Sequence, residues 1–522
     1  MPRADQIVVI MTDTQRADMV GCYGQPQMHT PNLDRLAERG VRFTAAHCCQ
    51  PVCGPARAAL FTGTWPHSNG GWANSMALDR HARHLGQRFQ RLGYHTGYVG
   101  KWHLDGGDYF GYGRCPEGWD PAFWYDMRCY LEELSDRDRR RSRRVETSHD
   151  PDFDVSFTYA HRCSNRALRY LEEHAHERFL LVVSYDEPHD PCLCPPEFVD
   201  MHRHTELPRS PNLDDTLADK PEHQRVWAGQ ARLRSRAELR ASDPRLFACN
   251  SFVDSEIGRV VEAAQRLAPE ALVVYTSDHG DALNSHCLAG KGPAMYEEIT
   301  RIPLIVAWPG VVPAGAVCDR PVSHIDVVPT LLDLAGAPIP APLQGRSAAA
   351  LLADPAAPGL ETIFMEFGRY EVDHDDFGGF QPVRCAFDGR FKLVVNLLSD
   401  DELYDLQADP AEVTNRIVDP ACREARDRLH DRLLQWMNET RDPFRGYYWE
   451  RRPWRHDARP ATWPYTGMTR QREPDDDEPR QLDYSTGLDM GPATRPKRTL
   501  STVVETAATD RPGSPPATTS GA

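Results

Sequence analysis

The sequence predicts an α/β protein whose central, mostly parallel sheet is buried on both faces, followed by a smaller antiparallel sheet closed by a helix. Short continuous apolar runs bounded by turn residues alternate with longer amphipathic segments, the pattern of strands covered by helices. Side chains capable of chemistry recur directly after those runs. Past residue 356, three short strand-like runs precede one helical segment, which predicts the second part.

The elements follow in order. Ile7-Val8-Val9-Ile10-Met11 reads as the first strand, apolar throughout because both faces are covered. Thr30-Pro31 supplies an N-cap and a proline at the first helical position, and Gly40 closes that helix. Gly97-Tyr98-Val99, Phe179–Tyr185, Leu272–Tyr275 and Ile302–Val306 read as four more strands, each too short for a helix. Asp13, Lys101 with His103, His189, and Asp278 with His279 fall just after strands, where open α/β sheets collect ligands. In the second region Ile363–Phe367, Val383–Phe387 and Phe391–Val395 read as an antiparallel sheet, and Arg423–Met437 as its closing helix. The expected division is a catalytic domain over 1–355, an α+β subdomain over 356–450, and an extended tail over 451–522. The tail is too rich in Arg, Pro, Asp and Thr to build a core. Asp136–Arg144 reads as a solvated, arginine-rich insertion.

A chain of 522 residues is long enough for two lobes and needs no staples. Its formal charge of -16 argues against nucleic acid as a partner, because binding a polyanion needs a positive footprint. A small anionic substrate stays admissible, since a bound cation can outvote the global sign locally. Fourteen cysteines at this length are ordinary usage, and their spacing is no disulfide framework. Ile7–Met11 is too short for a signal peptide core, and no apolar run approaches the roughly 20 residues that cross a bilayer. The expectation is a cytoplasmic protein with free thiols and no membrane partner.

The most informative stretch is Gln50-Pro51-Val52-Cys53-Gly54-Pro55-Ala56-Arg57, running into Ala58-Ala59-Leu60-Phe61-Thr62-Gly63. If residues 55–62 are helical, Cys53 stands at a helix start, where free N–H groups favour anions. A lone cysteine is ordinarily a small buried hydrophobe. Pro55 and Arg57 at fixed spacing, with Thr62-Gly63 behind, point instead to a reactive centre. Asp13, Asp278 and His279 offer two carboxylates and an imidazole for a divalent ion that would clamp an oxyanion. Lys101 and His103 lie on one side of an extended segment, His189 sits between two prolines, and Lys291 follows the Asp278-His279 pair in one loop.

In that order these fragments resemble the formylglycine-dependent sulfatases (arylsulfatase-like enzymes of the alkaline-phosphatase-like superfamily) over roughly residues 5–440. Phe387–Leu393 and Glu402–Leu406 with Asn415 resemble the C-terminal part of that family. The resemblance implies an alkaline-phosphatase-like sandwich and a formylglycine made from Cys53 by a formylglycine-generating enzyme. It also implies one divalent ion held by Asp13, Cys53, Asp278 and His279: Ca²⁺ first, with Mn²⁺, Mg²⁺ or Zn²⁺ open. Cys53, Arg57, Lys101, His103, His189 and Lys291 would be catalytic. Arg57 and Lys101 would neutralise the transferring group, and His103 would take the proton that restores the aldehyde. His189 and Lys291 would contact the ester and protonate the leaving group. Two departures stand out: Thr14, where many members have a second aspartate, and His279, where many have asparagine.

The implied reaction is hydrolysis of a sulfate ester or sulfamate, with a sulfated sugar or an aryl sulfate as the small anionic substrate. The alternatives are a phosphonate monoester or phosphodiester hydrolase of the same superfamily, and a non-catalytic relative that binds glycans. A homo-oligomer fits the family's habit. A soft-metal or redox site from Cys48, Cys49, Cys53, Cys192 and Cys194 matches no zinc spacing. Aromatic and glycine-rich stretches at Trp65–Trp72, Asp105–Tyr130 and Tyr370–Phe380 are the candidate specificity loops.

Overall fold

A computed structural model of the chain describes residues 1–25, 27–79, 81–205, 210–233, 244–371, 379–455 and 485–487. Met1–Arg445 forms one compact unit, and Gly446–Ala522 a second. Most of the expected tail, and residues 372–378 of the last candidate specificity loop, lie outside the described residues.

The first unit contains strands β1 (Gln6–Thr12), β2 (Val41–Phe43), β3 (Ala46–His47), β4 (His95–Gly100), β5 (Phe179–Ser184), β6 (Leu272–Ser277), β7 (Leu304–Ala307), β8 (Ala316–Cys318), β9 (Val322–Ser323), β10 (Ile363–Phe367), β11 (Val383–Phe387), β12 (Phe391–Asn396) and β13 (Glu402–Asp405). Seven of them make the main sheet, in the order β4-β5-β1-β6-β7-β2-β8. The neighbours β4, β5, β1 and β6 run parallel, while β7 is antiparallel to both β6 and β2.

Alternation along β1 explains its unbroken apolar sequence. Val8 and Ile10 enter one core with Ala167, Tyr170 and Leu171 of the helix Tyr159–His174 and with Phe252 and Val260 of the helix Pro244–Leu267. Ile7, Val9 and Met11 enter the other, with Ala58 and Phe61 of the helix Cys53–Thr62 and Leu331 of the helix Val327–Leu334. With period-2 side chains, a strand between two helix layers must be apolar at every position.

The second sheet is an antiparallel meander, β10-β11-β12-β13, and the helix Arg423–Glu439 packs on it. A buried ion-pair group joins this sheet to β3 and to residues Met295 and Glu297 ahead of β7. Lys392 of β12 reaches Glu297 Oε1 at 2.7 Å, Glu412 Oε1 at 2.9 Å and the Met295 carbonyl at 2.8 Å, and His47 Nε2 lies 2.9 Å from the same Glu297 oxygen. The segment Asp136–Arg144 is mostly exposed, as expected of a solvated insertion, and its helix Asp136–Arg141 has no buried residue. Arg141 pairs with Asp138, Asp150 and Asp152, and Arg143 lies over the Tyr109 and Phe110 rings.

Candidate functional site

Cys53 is the first residue of the helix Cys53–Thr62, and all ten residues of that helix are buried. Pro55 costs nothing there, because first-turn N–H groups have no partner within a helix. Gly63, at φ 70°, ends the helix by donating its N–H to the Ala59 carbonyl. The free N–H of Gly54 is taken by Asn74 Oδ1 at 2.8 Å, and the Asn74 N–H is taken in turn by the Tyr370 carbonyl at 2.9 Å. The chain beyond β10 therefore braces the turn that carries Cys53.

Around Cys53 Sγ stand Lys291 Nζ at 2.9 Å, His279 Nε2 at 3.2 Å and Asp13 Oδ1 at 3.7 Å. Burial and the Asp13 charge push the thiol up, but Lys291, Lys101 and His279 outweigh them and hold it well below its ordinary value. The cations around Cys53 thus favour its thiolate, the form in which sulfur reacts.

Arg57 is fully buried and commits four N–H groups. Nε bonds Asp278 Oδ2 at 3.0 Å, one terminal nitrogen bonds the Lys101 carbonyl at 2.7 Å and Ser184 Oγ at 2.8 Å, and the other bonds Asp13 Oδ2 at 3.1 Å. Lys101 reaches this point because Gly100 turns the end of β4 at φ 119°, where a Cβ would lie 1.9 Å from the Ser184 carbonyl oxygen. Its Nζ sits 2.7 Å from Asp13 Oδ2, 3.0 Å from Asp186 Oδ1 and 3.9 Å from the Tyr109 ring centroid. Burial pushes the Asp13 carboxyl up, yet Lys101, His189, Lys291 and Arg57 hold it well below the usual carboxylate range. The Asp278 carboxyl is pushed up to about 6 by burial and by Asp13.

His103 is buried at φ 59°, and its Nδ1 has no hydrogen-bond partner among the described residues. Burial holds its pKa down, as burial with the Lys291 and Lys101 charges does for His189. The Tyr109 hydroxyl donates to Asp186, so at 3.1 Å it must accept from His189 Nδ1. That leaves His189 Nε2 as the open nitrogen. Cis peptide bonds precede Pro188 and Pro191 on either side of this histidine.

Asp13, Cys53, Asp278 and His279 each present one donor atom, all within 4.8 Å of one another. His279 Nδ1 donates to the Gly280 carbonyl at 2.8 Å, so Nε2 is the nitrogen that faces the carboxylates; burial pushes its pKa down but the Asp278 charge raises it on balance, and a cation bound there would take the place of that proton. The outer carboxylate oxygens are already bonded to Arg57, and the inner ones converge beside Cys53. This donor set fits a divalent cation.

The structure thus gathers Asp13, Cys53, Arg57, Lys101, His103, Asp278, His279 and Lys291, all buried, with half-buried His189, into one site where β4, β5, β1 and β6 end side by side. Sequence reasoning missed Asp186 and held Tyr109 and Tyr370 only as members of the candidate specificity loops. Asp186 carried a readable signal, since it stands two residues past β5 just as Lys101 stands one past β4. Tyr109 and Tyr370 lie on loops with no spacing to read. Thr14 is more than a lost carboxylate. At φ 62°, a strained conformation for a β-branched residue, it donates Oγ1 to Asp13 Oδ1 at 2.6 Å and its N–H to Asp278 Oδ1 at 3.1 Å. The remaining cysteines are free thiols, and Cys48 and Cys49 are buried away from the four-ligand group.

A mostly parallel sheet between helices, with Cys53 at a helix start beside a carboxylate-rich donor set at the strand ends, and a family match over residues 5–337 together place the chain in the alkaline-phosphatase-like superfamily. Within it the assignment is narrower. The family profile described as Sulfatase matches residues 5–337, and the profile described as N-sulphoglucosamine sulphohydrolase, C-terminal, matches 291–439. The chain belongs to the sulfatase family and is a sulfuric ester hydrolase. It is 45% identical to the uncharacterized sulfatase YidJ of Escherichia coli (strain K12), over 92% of this chain and 96% of that one. A solved sulfatase-like structure in complex with its substrate D-glucosamine-2-N,6-O-disulfate has a TM-score of 0.68 at 22% identity, covering 85% of this chain and 99% of that one. The phosphonate monoester hydrolase of Agrobacterium radiobacter has a TM-score of 0.69 at 22% identity, covering 83% and 96%.

Proposed function

We propose that this chain hydrolyses a sulfate ester or sulfamate, with the oxidised Cys53 side chain as nucleophile and one divalent ion held by Asp13, Asp278, His279 and residue 53. The observation that supports this most directly is the position of Cys53: one sulfur stands 2.9 Å from Lys291 and within the four-ligand group. Oxidised to formylglycine and hydrated, that side chain would supply a hydroxyl nucleophile, and the ion would polarise the group under attack. Ca²⁺ or Mg²⁺ suits the two carboxylates, with Ca²⁺ first, while the His279 nitrogen keeps Mn²⁺ and Zn²⁺ open.

Arg57 serves chiefly to hold Asp13 and Asp278 apart and in register, because four of its five N–H donors are committed. Lys101 and Lys291 bring the positive charge nearest to Cys53 and neutralise the transferring group. His103 stays neutral because burial holds its pKa down, so it can accept a proton beside residue 53. Lys291 faces Asp13, whose charge favours its protonated form after residue 53 is oxidised, and it can give a proton to the leaving oxygen or nitrogen. His189 presents Nε2 to the ester oxygens, its other nitrogen being tied to Tyr109.

The substrate proposed is a small sulfated sugar. Support comes from the match to an N-sulphoglucosamine sulphohydrolase C-terminal profile and from the disulfated glucosamine bound in a structural neighbour. A phosphonate monoester or phosphodiester is the second reading: His279 supplies an imidazole ligand, and Thr14, in place of a second aspartate, leaves the cation one negative charge short.

The deciding experiment is mass spectrometry of the tryptic peptide Phe43–Arg57, from protein made with and without a formylglycine-generating enzyme. An aldehyde at residue 53, with Cys48 and Cys49 still thiols, supports the nucleophile. An unmodified Cys53 despite an active maturation enzyme overturns it. Parallel assays of aryl sulfates and aryl phosphonates then decide between sulfur and phosphorus.

A further inference from the structure

Arg143 stands at the rim of the Cys53 site with no opposite charge beside it. Its guanidinium carbon lies 5.5 Å from the centre of the Tyr109 ring and 5.1 Å from that of Phe110. Those two rings meet edge to face, 5.4 Å apart at 90°, and the guanidinium occupies the corner between them. One terminal nitrogen donates to the Asp190 carbonyl at 3.3 Å. Both supports flank His189: the Tyr109 hydroxyl bonds its ring, and Asp190 follows it in the chain. Exposure rises from buried Cys53 through half-buried His189 and Tyr109 to exposed Arg143, which marks the way out of the site.

Other arginines nearby are neutralised. Arg141 pairs with Asp138, Asp150 and Asp152, and Arg128 pairs with Asp108. Arg143 makes no ion pair among the described residues, and the bond to Asp190 leaves four of its five N–H donors open. Its charge nevertheless reaches inward. Burial pushes the Asp186 carboxyl up, and Arg143 is one of the charges, after Lys101 and His189, that bring it below its ordinary value. Lys101 Nζ lies 3.9 Å from the centre of the same Tyr109 ring. The two cations are therefore within about 10 Å of each other, one Debye length in dilute salt.

We propose that Arg143 sets substrate specificity by receiving a second anionic group, a carboxylate or a further sulfate, on the organic part of the substrate. The inference rests on the reading of Cys53 as the place where the first sulfate is cleaved. A planar fork with open donors matches a carboxylate or sulfate bidentately. Contact with two rings and a carbonyl already orients that fork, so little freedom is lost when the anion arrives. A substrate with one sulfate and a neutral body would leave the guanidinium facing water and gain nothing from it.

The test uses the full chain produced with a formylglycine-generating enzyme and three esters of similar size: phenyl sulfate, 3-carboxyphenyl sulfate and 1,3-phenylene disulfate. Arg143→Gln should lower kcat/KM about tenfold more for the doubly charged esters than for phenyl sulfate, a comparison in which leaving-group reactivity cancels. Tenfold is the low end for a charge-assisted bond, because the rim is open to water and salt. The loss should fall on KM, shrink in added salt and be partly restored in Arg143→Lys. A selective loss for one charged ester tells carboxylate from sulfate. Equal losses for all three would overturn the proposal and leave Arg143 as packing for Tyr109. If no ester turns over, the sulfatase reading fails separately, and calorimetry with benzenesulfonate and 3-sulfobenzoate makes the same comparison without chemistry. Tighter binding of 3-sulfobenzoate by wild type, lost in Arg143→Gln, supports the second anion site. Equal affinity of wild type for the two sulfonates refutes it.

Discussion

Replacing Arg57 by lysine keeps the charge and removes the planar fork, so it asks whether geometry or charge holds the site together. The guanidinium makes four hydrogen bonds at 2.7–3.1 Å, two of them to carboxylates on different strands. A lysine ammonium has three donors on one point and a shorter reach. At least one carboxylate bond and one neutral bond must be lost. Bonds to charged groups contribute about 1.5–3 kcal/mol and neutral ones about 0.5–1.5 kcal/mol, which gives a loss of about 2–4.5 kcal/mol. Asp13 and Asp278 would then face each other with less separation of charge, so added Ca²⁺ should restore part of the loss. Urea unfolding with and without Ca²⁺, alongside aryl sulfate turnover, measures both effects. Turnover should fall by about 10²-fold or more, since a displaced carboxylate misplaces the cation it holds. An Arg57→Lys variant within about 1 kcal/mol of wild type and fully active would refute the argument, because the fork would then do nothing that charge alone does not.

Three further outcomes are expected. Burial and the neighbouring Asp186 push the Glu187 carboxyl up to about 8 from 4.5, so the folded chain holds a proton there that the unfolded chain releases. Stability from this group is full below about 4.5 and is lost as pH rises towards 8. The melting temperature of Glu187→Gln relative to wild type should therefore climb between pH 5 and pH 8.5, and a pH-independent gap would count against it. Tyr109→Phe removes the hydroxyl that bridges Asp186 and His189. It should cost about 10- to 100-fold in kcat/KM with the fold intact by circular dichroism, and an unchanged rate would show that His189 needs no such tether. Gly97→Ala would put a Cβ 2.4 Å from Tyr170 Cε2, so about 1–3 kcal/mol should be lost in urea unfolding.

By itself the sequence determined which segments are doubly buried strands and where reactive side chains follow them. Ile7–Met11 is apolar at every position because helices cover both faces of β1, and that requirement is local enough to read. The same logic made Asp13, Lys101, Asp278 and His279 legible, since each stands directly past a strand end. Cys53, Pro55 and Arg57 were legible because one helix start fixes their spacing. Only the tertiary structure decided that β4, β5, β1 and β6 lie side by side and bring those ends to one point, because strand order is set by packing between segments far apart in sequence. It also decided that Asp186, Tyr109 and Tyr370 join the site. Their contacts close over long loops, where direction depends on what each loop meets and not on any period in its own residues. Thr14 shows the same limit from the other side: in sequence it is a missing carboxylate, and in three dimensions it binds both remaining ones.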